Sequence, residues 1–147
     1  MTKKKINIVS LQMIKEKVLW YSDRKIKSPE DAYQILKKFA GDSDREQMIM
    51  IALNTKNEPT HLQTISIGSL NASVVHPREV FKTAVLSNAA NIILGHNHPS
   101  GDTEPSYEDI QITRQLVHAG ELLGITVLDH IIFTNDYFKS LKEDGHI

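Results

Sequence analysis

Asn91-Ile92-Ile93-Leu94-Gly95-His96-Asn97-His98-Pro99-Ser100-Gly101-Asp102-Thr103-Glu104-Pro105-Ser106-Tyr107-Glu108-Asp109 takes the chain from an apolar run, through a loop, into the first turn of a helix. The run from Asn91 to His96 is short and mostly apolar, as a strand buried on both faces would be, which predicts a place near the centre of a sheet. The glycine and two prolines between Asn97 and Pro105 predict a loop, and Ser106-x-x-Asp109 is a helix start, with a hydroxyl to cap and an acid for the first turn. The helix it opens is expected to run to about Gly120 and to bury Ile110, Thr113, Leu116 and Val117, before a second buried strand from Ile125 to Phe133.

Working outward, Ser28-Pro29-Glu30-Asp31 reads as an N-cap, a proline at the first helical position and acids in the first turn. Ala32, Ile35, Leu36 and Phe39 form the buried stripe of this helix and Gly41 stops it. Gln47–Asn54, the turn Asn54-Thr55-Lys56-Asn57 and the alternating His61–Ile67 predict a β-hairpin. After a polar break from Gly68 to Ser73, Pro77 starts a helix whose inner face should carry Val80, Phe81, Ala84, Val85 and Ala89. The polar tail is expected to be short helix or turn. Strands alternating with helices predict an α/β fold, an α+β mixed sheet with flanking helices. Residues 1–27 are expected to form a basic leader, an edge strand over Ile6–Lys15 plus a linker, and residues 28–147 the folded domain.

Bulk composition bounds what such a domain can do. At 147 residues it can bury a core without staples. No apolar run is long enough to span a bilayer and no signal-peptide pattern is present, so no membrane role and a cytoplasmic location are expected. Without cysteine there is no disulfide, thiolate site or cysteine nucleophile, and a metal must be held by His and carboxylate. The net charge of −1 gives no whole-protein field for nucleic acid, but residues 1–27 carry eight basic against two acidic side chains. That run is either a solvated edge or a nucleic-acid or partner surface.

Chemistry concentrates in the opening stretch. Pro99 biases His98 to extended backbone, and side chains two apart in an extended chain share a face, so His96 and His98 can form a two-toothed imidazole clamp with Asn97 pointing away. Asp109 can fold back as a third ligand, with Asp102 or Glu104 as substitutes. Two imidazoles and one carboxylate around one Zn2+ leave a position for water, the ligand count of a catalytic rather than a structural site. H-x-H by itself is weak evidence, and Ser106 alone is best read as a cap. His-x-His-Pro, ten residues, then Asp, with Ser three before it, is far more specific. Asp129-His130 can support this site from behind or form a hydrogen-bonded core pair. His61, His76, His118 and His146 read as structural or surface residues, and no Gly-x-Ser-x-Gly elbow surrounds Ser100 or Ser106.

His96-Asn97-His98-Pro99, Ser106 and Asp109 resemble the JAMM motif of JAB1/MPN metallopeptidases, and Gly95 to Asp102 is similar to the bacterial RadC branch. Ser66–Ser73, His76–Phe81 and Leu128–Ile132 share that likeness, which covers roughly residues 45–141. The resemblance implies a JAB/MPN-like, cytidine-deaminase-like three-layer fold, and a helix-hairpin-helix-like N-terminal region for which this chain is expected to have only its short leader. It implies that Glu46 is the general base, taking a proton from water and returning it to the leaving group, and that Ser106 stabilises the oxyanion. Asn97 stands where the superfamily usually has Ser or Thr, a RadC-like feature expected to bear on substrate contacts. The expected function is zinc-dependent hydrolysis of a peptide or isopeptide bond in a peptide or protein substrate. The rivals are a RadC-type DNA-repair or mobile-element binding module without catalysis, and a metal-dependent nuclease. Neither substrate nor oligomeric state follows from the residues.

Overall fold

A computed structural model describes residues 1–22, 25–68 and 75–147. The polar break beyond Gly68, with most of the Ser66–Ser73 stretch, lies outside these residues, as do Asp23 and Arg24 of the leader.

The first helix, α1 (Pro29–Ala40), begins as its sequence requires. Ser28 Oγ accepts the Asp31 N–H at 3.3 Å, and Gly41 follows at φ 60°. The hairpin strands β1 (Gln47–Leu53) and β2 (Pro59–Ile67) pair antiparallel around the Asn54–Asn57 turn. Helix α2 (Pro77–Leu86) leads to β3 (Asn91–Asn97), then α3 (Tyr107–Leu123), β4 (Thr126–Phe133) and β5 (Phe138–Ser140). Among the described residues five strands form one sheet in the order β2-β1-β3-β4-β5, with only the β3/β4 pair parallel. This is the mixed α/β sheet with flanking helices that the alternation of elements predicts.

Alternation along β1 divides the core between two layers. Met48, Met50 and Ala52 join Leu94, Val80, Phe81, Ile112 and Leu116 under α2 and α3. Ile49, Ile51 and Leu53 face the opposite way and meet Ala32, Ile35 and Leu36 of α1. Helices thus cover both faces of the sheet, and the central strands β1 and β3 are buried almost throughout.

Several expectations are corrected. The described residues of the leader form no strand: residues 1–21 have no regular secondary structure, and Ile6, Val9, Leu11 and Ile14 are each at least 76% exposed. Among the described residues no strand pairs with it, and β2 and β5 are the edge strands of the sheet. Val85 is 54% exposed, since the sheet contacts only the side of α2 carrying Val80, Phe81 and Ala84. Helix α3 runs past Gly120, which sits where a Cβ would come within 2.3 Å of the Ile125 carbonyl, and ends at Gly124 in the left-handed region. The buried face of α3 includes Ile112 in place of Ile110. The tail adds the short edge strand β5 rather than turn alone. Among the described residues no helix is long and apolar enough to cross a membrane.

Candidate metal centre

The site lies where β3 ends and α3 begins. Gly95 lets α1 approach: a Cβ there would sit 2.3 Å from Leu36 Cδ2, so the strand can press against the helix just before His96. His96 follows on the opposite face, 1% exposed, and after Asn97 the His98 N–H donates to the Phe133 carbonyl at 2.9 Å, which holds the chain extended along β4. The two imidazoles consequently meet, their centroids 4.6 Å apart and their planes nearly perpendicular. The one-residue spacing thus brings the two rings together.

Asp109 reaches it from the first turn of α3, only 2% exposed. Its Oδ1 lies 3.2 Å from His96 Nδ1 and its Oδ2 lies 3.4 Å from His98 Nε2, so one carboxylate spans both rings. A capping box orients it: Ser106 Oγ accepts the Asp109 N–H at 3.0 Å, and Asp109 Oδ2 accepts the Ser106 N–H at 2.8 Å. Burial pushes the Asp109 carboxyl up, but the His96 and His98 rings and the Ser106 N–H outweigh it and hold the group well below the usual carboxylate range. The same contact with Asp109, against the opposing effect of burial, raises the His98 imidazole.

Glu46 comes from the other side of the sheet's end, immediately before β1. Its Oε2 is 3.6 Å from His96 Nε2, with the side chain 36% exposed. Glu46, His96 and His98 can each offer a donor atom with all three within 4.8 Å of one another, a set that could hold a metal ion. Asp109 is not in that compact set, although it touches both imidazoles. The sequence-predicted residues Glu46, His96, His98, Ser106 and Asp109 all line one open cleft of about 270 Å³. Asp102 and Glu104 line the same cleft; His98 Nδ1 meets the Asp102 carbonyl at 2.7 Å, and Glu104 is paired with Lys139.

Does this donor set fit a cation? Among the described residues both ring nitrogens of His96 are buried without a hydrogen-bond partner, since its 3.2 Å approach to Asp109 lacks hydrogen-bond geometry. A buried nitrogen lone pair facing carboxylates is costly unless something satisfies it, and a divalent ion bound by His and carboxylate does so. The residues fit the group.

Behind the clamp is a second buried imidazole. His130 pairs with Thr113 Oγ1 at 2.6 Å, and Thr113 Oγ1 contacts the Asp109 carbonyl at 2.7 Å. The His130 ring is 6.3 Å from that of His96, and burial pushes it down to about 3, so it is neutral. Asp129 does not share in this contact. Its carboxylate accepts from Ser140 Oγ, Lys142 N and the His130 N–H and so ties β4 to the tail, while burial pushes its carboxyl up. The adjacent pair therefore divides, with His130 toward the site and Asp129 toward the tail. Thr113 carried no chemical signal of its own, and only its buried helical position could have drawn notice. His76, read as structural or surface, caps α2 by accepting the Arg78 N–H at Nδ1.

The family profile described as RadC-like JAB domain matches residues 26–146. A UPF0758 protein of Methanosarcina mazei is 49% identical over 124 residues, covering 84% of this chain and 54% of that protein. A UPF0758 protein of Bacillus cereus is 53% identical over 130 residues, covering 88% and 58%. One from Desulforamulus reducens is 53% identical over 122 residues, covering 83% and 54%. The chain thus spans a little over half the length of these relatives.

Proposed function

The chain belongs to the RadC-like JAB domain family, and from that premise we propose that it is a zinc-dependent hydrolase cleaving an amide, a peptide or isopeptide bond, in a peptide or protein substrate. The observation that carries this reading is the buried His96 ring with two unsatisfied nitrogens, flanked by the Asp109 and Glu46 carboxylates in an open cleft.

His96, His98 and Asp109 would hold a single zinc ion. When bound, such an ion supplies a Lewis acid that polarises a carbonyl oxygen and brings the pKa of water toward ~7. The remaining work falls to the protein. Asp109 stays ionised at neutral pH because its surroundings depress it, so it keeps its negative charge against the clamp. Glu46, partly exposed and close to His96 Nε2, can take one proton from the attacking water and deliver it to the amine nitrogen as the C–N bond breaks. Ser106 Oγ accepts the Asp109 N–H and keeps its own proton for another acceptor, so capping and donation to a developing oxyanion are compatible.

The test is metal analysis followed by hydrolysis of a peptide and isopeptide panel with and without chelator. His96→Ala and Asp109→Ala should lose zinc, whereas Glu46→Gln should keep zinc and lose about 10²-fold or more in turnover. Equal metal loss in all three variants would instead make Glu46 a ligand, an alternative favoured by the tight Glu46, His96 and His98 grouping. Chelator-sensitive cleavage of DNA without peptide cleavage would turn the reading to a nuclease.

A second reading, nucleic-acid binding without catalysis, draws on the leader. Its lysines and Trp20 are exposed, and its excess of six positive charges stands against an excess of seven negative charges over residues 28–147.

A further inference from the structure

We propose that Asn97, the residue between the two clamp histidines, is a positioning residue that sets Glu46 against His96; the inference rests on the reading of Glu46 as the base. Strands β1 and β3 pair antiparallel, with Met48 opposite His96 as the last rung. One step further the Asn97 side chain takes over from the backbone. Its Oδ1 accepts the Gln47 N–H at 2.6 Å, and its Nδ2 donates to the Arg45 carbonyl at 2.8 Å. These are the peptide groups on either side of Glu46. The Glu46 carbonyl itself accepts the Gly68 N–H at 2.7 Å, at the end of β2. The backbone around Glu46 is thus held on both flanks, and its carboxylate emerges 3.6 Å from His96 Nε2.

A primary amide suits this task because it presents one acceptor and one donor side by side, matching an N–H and a C=O two residues apart. The amide orientation follows from its partners, since only the oxygen can accept from Gln47 and only the nitrogen can donate to Arg45. Aspartate would keep the acceptor but set a carboxylate oxygen against the Arg45 carbonyl. Serine has a single oxygen for both partners and a shorter reach. Asn97 is only 6% exposed, so water competes poorly for these bonds. The geometry also links base to clamp: Asn97 is covalently bonded to both His96 and His98, so whatever shifts the imidazoles drags the Glu46 segment with them. The RadC-like residue at this position is spent on the backbone either side of Glu46.

The experiment uses the full chain as wild type, Asn97→Ala, Asn97→Asp, Glu46→Gln and the Asn97→Ala/Glu46→Gln double variant, with Asn97→Ser if the alanine variant does not fold. Amide hydrogen exchange is read first. The Gln47 amide should exchange at least ~10-fold faster in Asn97→Ala and keep much of its protection in Asn97→Asp, while core amides such as Met50 and Leu94 are unchanged. Zinc content should stay at the wild-type level. Turnover of the best peptide substrate should fall about 10- to 100-fold in kcat with KM unchanged, and the double variant should be no slower than Glu46→Gln alone. Undiminished Gln47 protection in Asn97→Ala, a crystal structure of that variant with Glu46 still at its original distance from His96, or a further full loss in the double variant would each overturn the proposal. Failure of the hydrolase reading looks different: Glu46→Gln then behaves as wild type, or no substrate is cleaved, and the exchange of Gln47 still decides whether Asn97 holds this segment.

Discussion

Thr113→Val tests the buried polar pair behind the clamp. Thr113 and His130 are both fully buried. A threonine hydroxyl has one proton, so with that proton directed to the Asp109 carbonyl, Nδ1 of His130 must be the donor to Oγ1. Valine preserves the shape and removes both interactions. The Asp109 carbonyl retains its helical partner, but the His130 N–H is stranded in the core. A buried donor left without a partner costs about 1–3 kcal/mol. For a chain of this length that corresponds to a fall in Tm of roughly 3–10 °C. The assay is urea or thermal unfolding of the zinc-free protein in chelator, followed by circular dichroism, so that metal binding does not mask the difference. Thr113→Ser serves as the control, because it keeps the hydroxyl and loses only a methyl, for roughly 1 kcal/mol. A Thr113→Val protein within about 0.5 kcal/mol of wild type, or one no less stable than Thr113→Ser, would refute the assignment of Nδ1 as a dependent donor.

Other outcomes follow from the same contacts. Ser106→Ala should lower stability by about 1 kcal/mol through loss of the cap, and reduce kcat beyond what the lost stability explains; unfolding and kinetics measured on one preparation separate the two effects. The His130 imidazole is depressed to about 3, so between its unfolded value of about 6.5 and that pH the native state binds fewer protons than the unfolded one. Its contribution is therefore complete above about pH 6.5 and is lost as pH falls toward 3. A His130→Leu variant should show a shallower acid-side slope in zinc-free unfolding, and an unchanged slope would exclude His130 as its source. Removal of residues 1–27 should abolish any salt-sensitive DNA binding of the full chain while leaving zinc content unchanged, as read by titration at two salt concentrations.

Local pattern was enough for most elements, because caps, prolines and apolar periodicity act over a few residues. Ser28-Pro29 began α1, Asn54–Asn57 turned the hairpin, and the apolar Asn91–His96 run proved central in the sheet. The pattern failed where a partner decides the outcome. Alternation in the leader is compatible with a strand, yet no strand edge takes it up, and Val85 fits the stripe of α2 but lies beyond the sheet's reach.

The sequence alone determined that His96 and His98 could share a face, since extended backbone has a period of two, and that Ser106 and Asp109 could open a helix. It could not determine distances between residues far apart in the chain. Folding brought Glu46 from about fifty residues upstream to within 3.6 Å of His96, turned Asp109 onto both rings, and buried His130 and Thr113 behind them. The pairing of β1 with β3 and the docking of α3 set those separations, and both depend on burying apolar faces made by the whole chain.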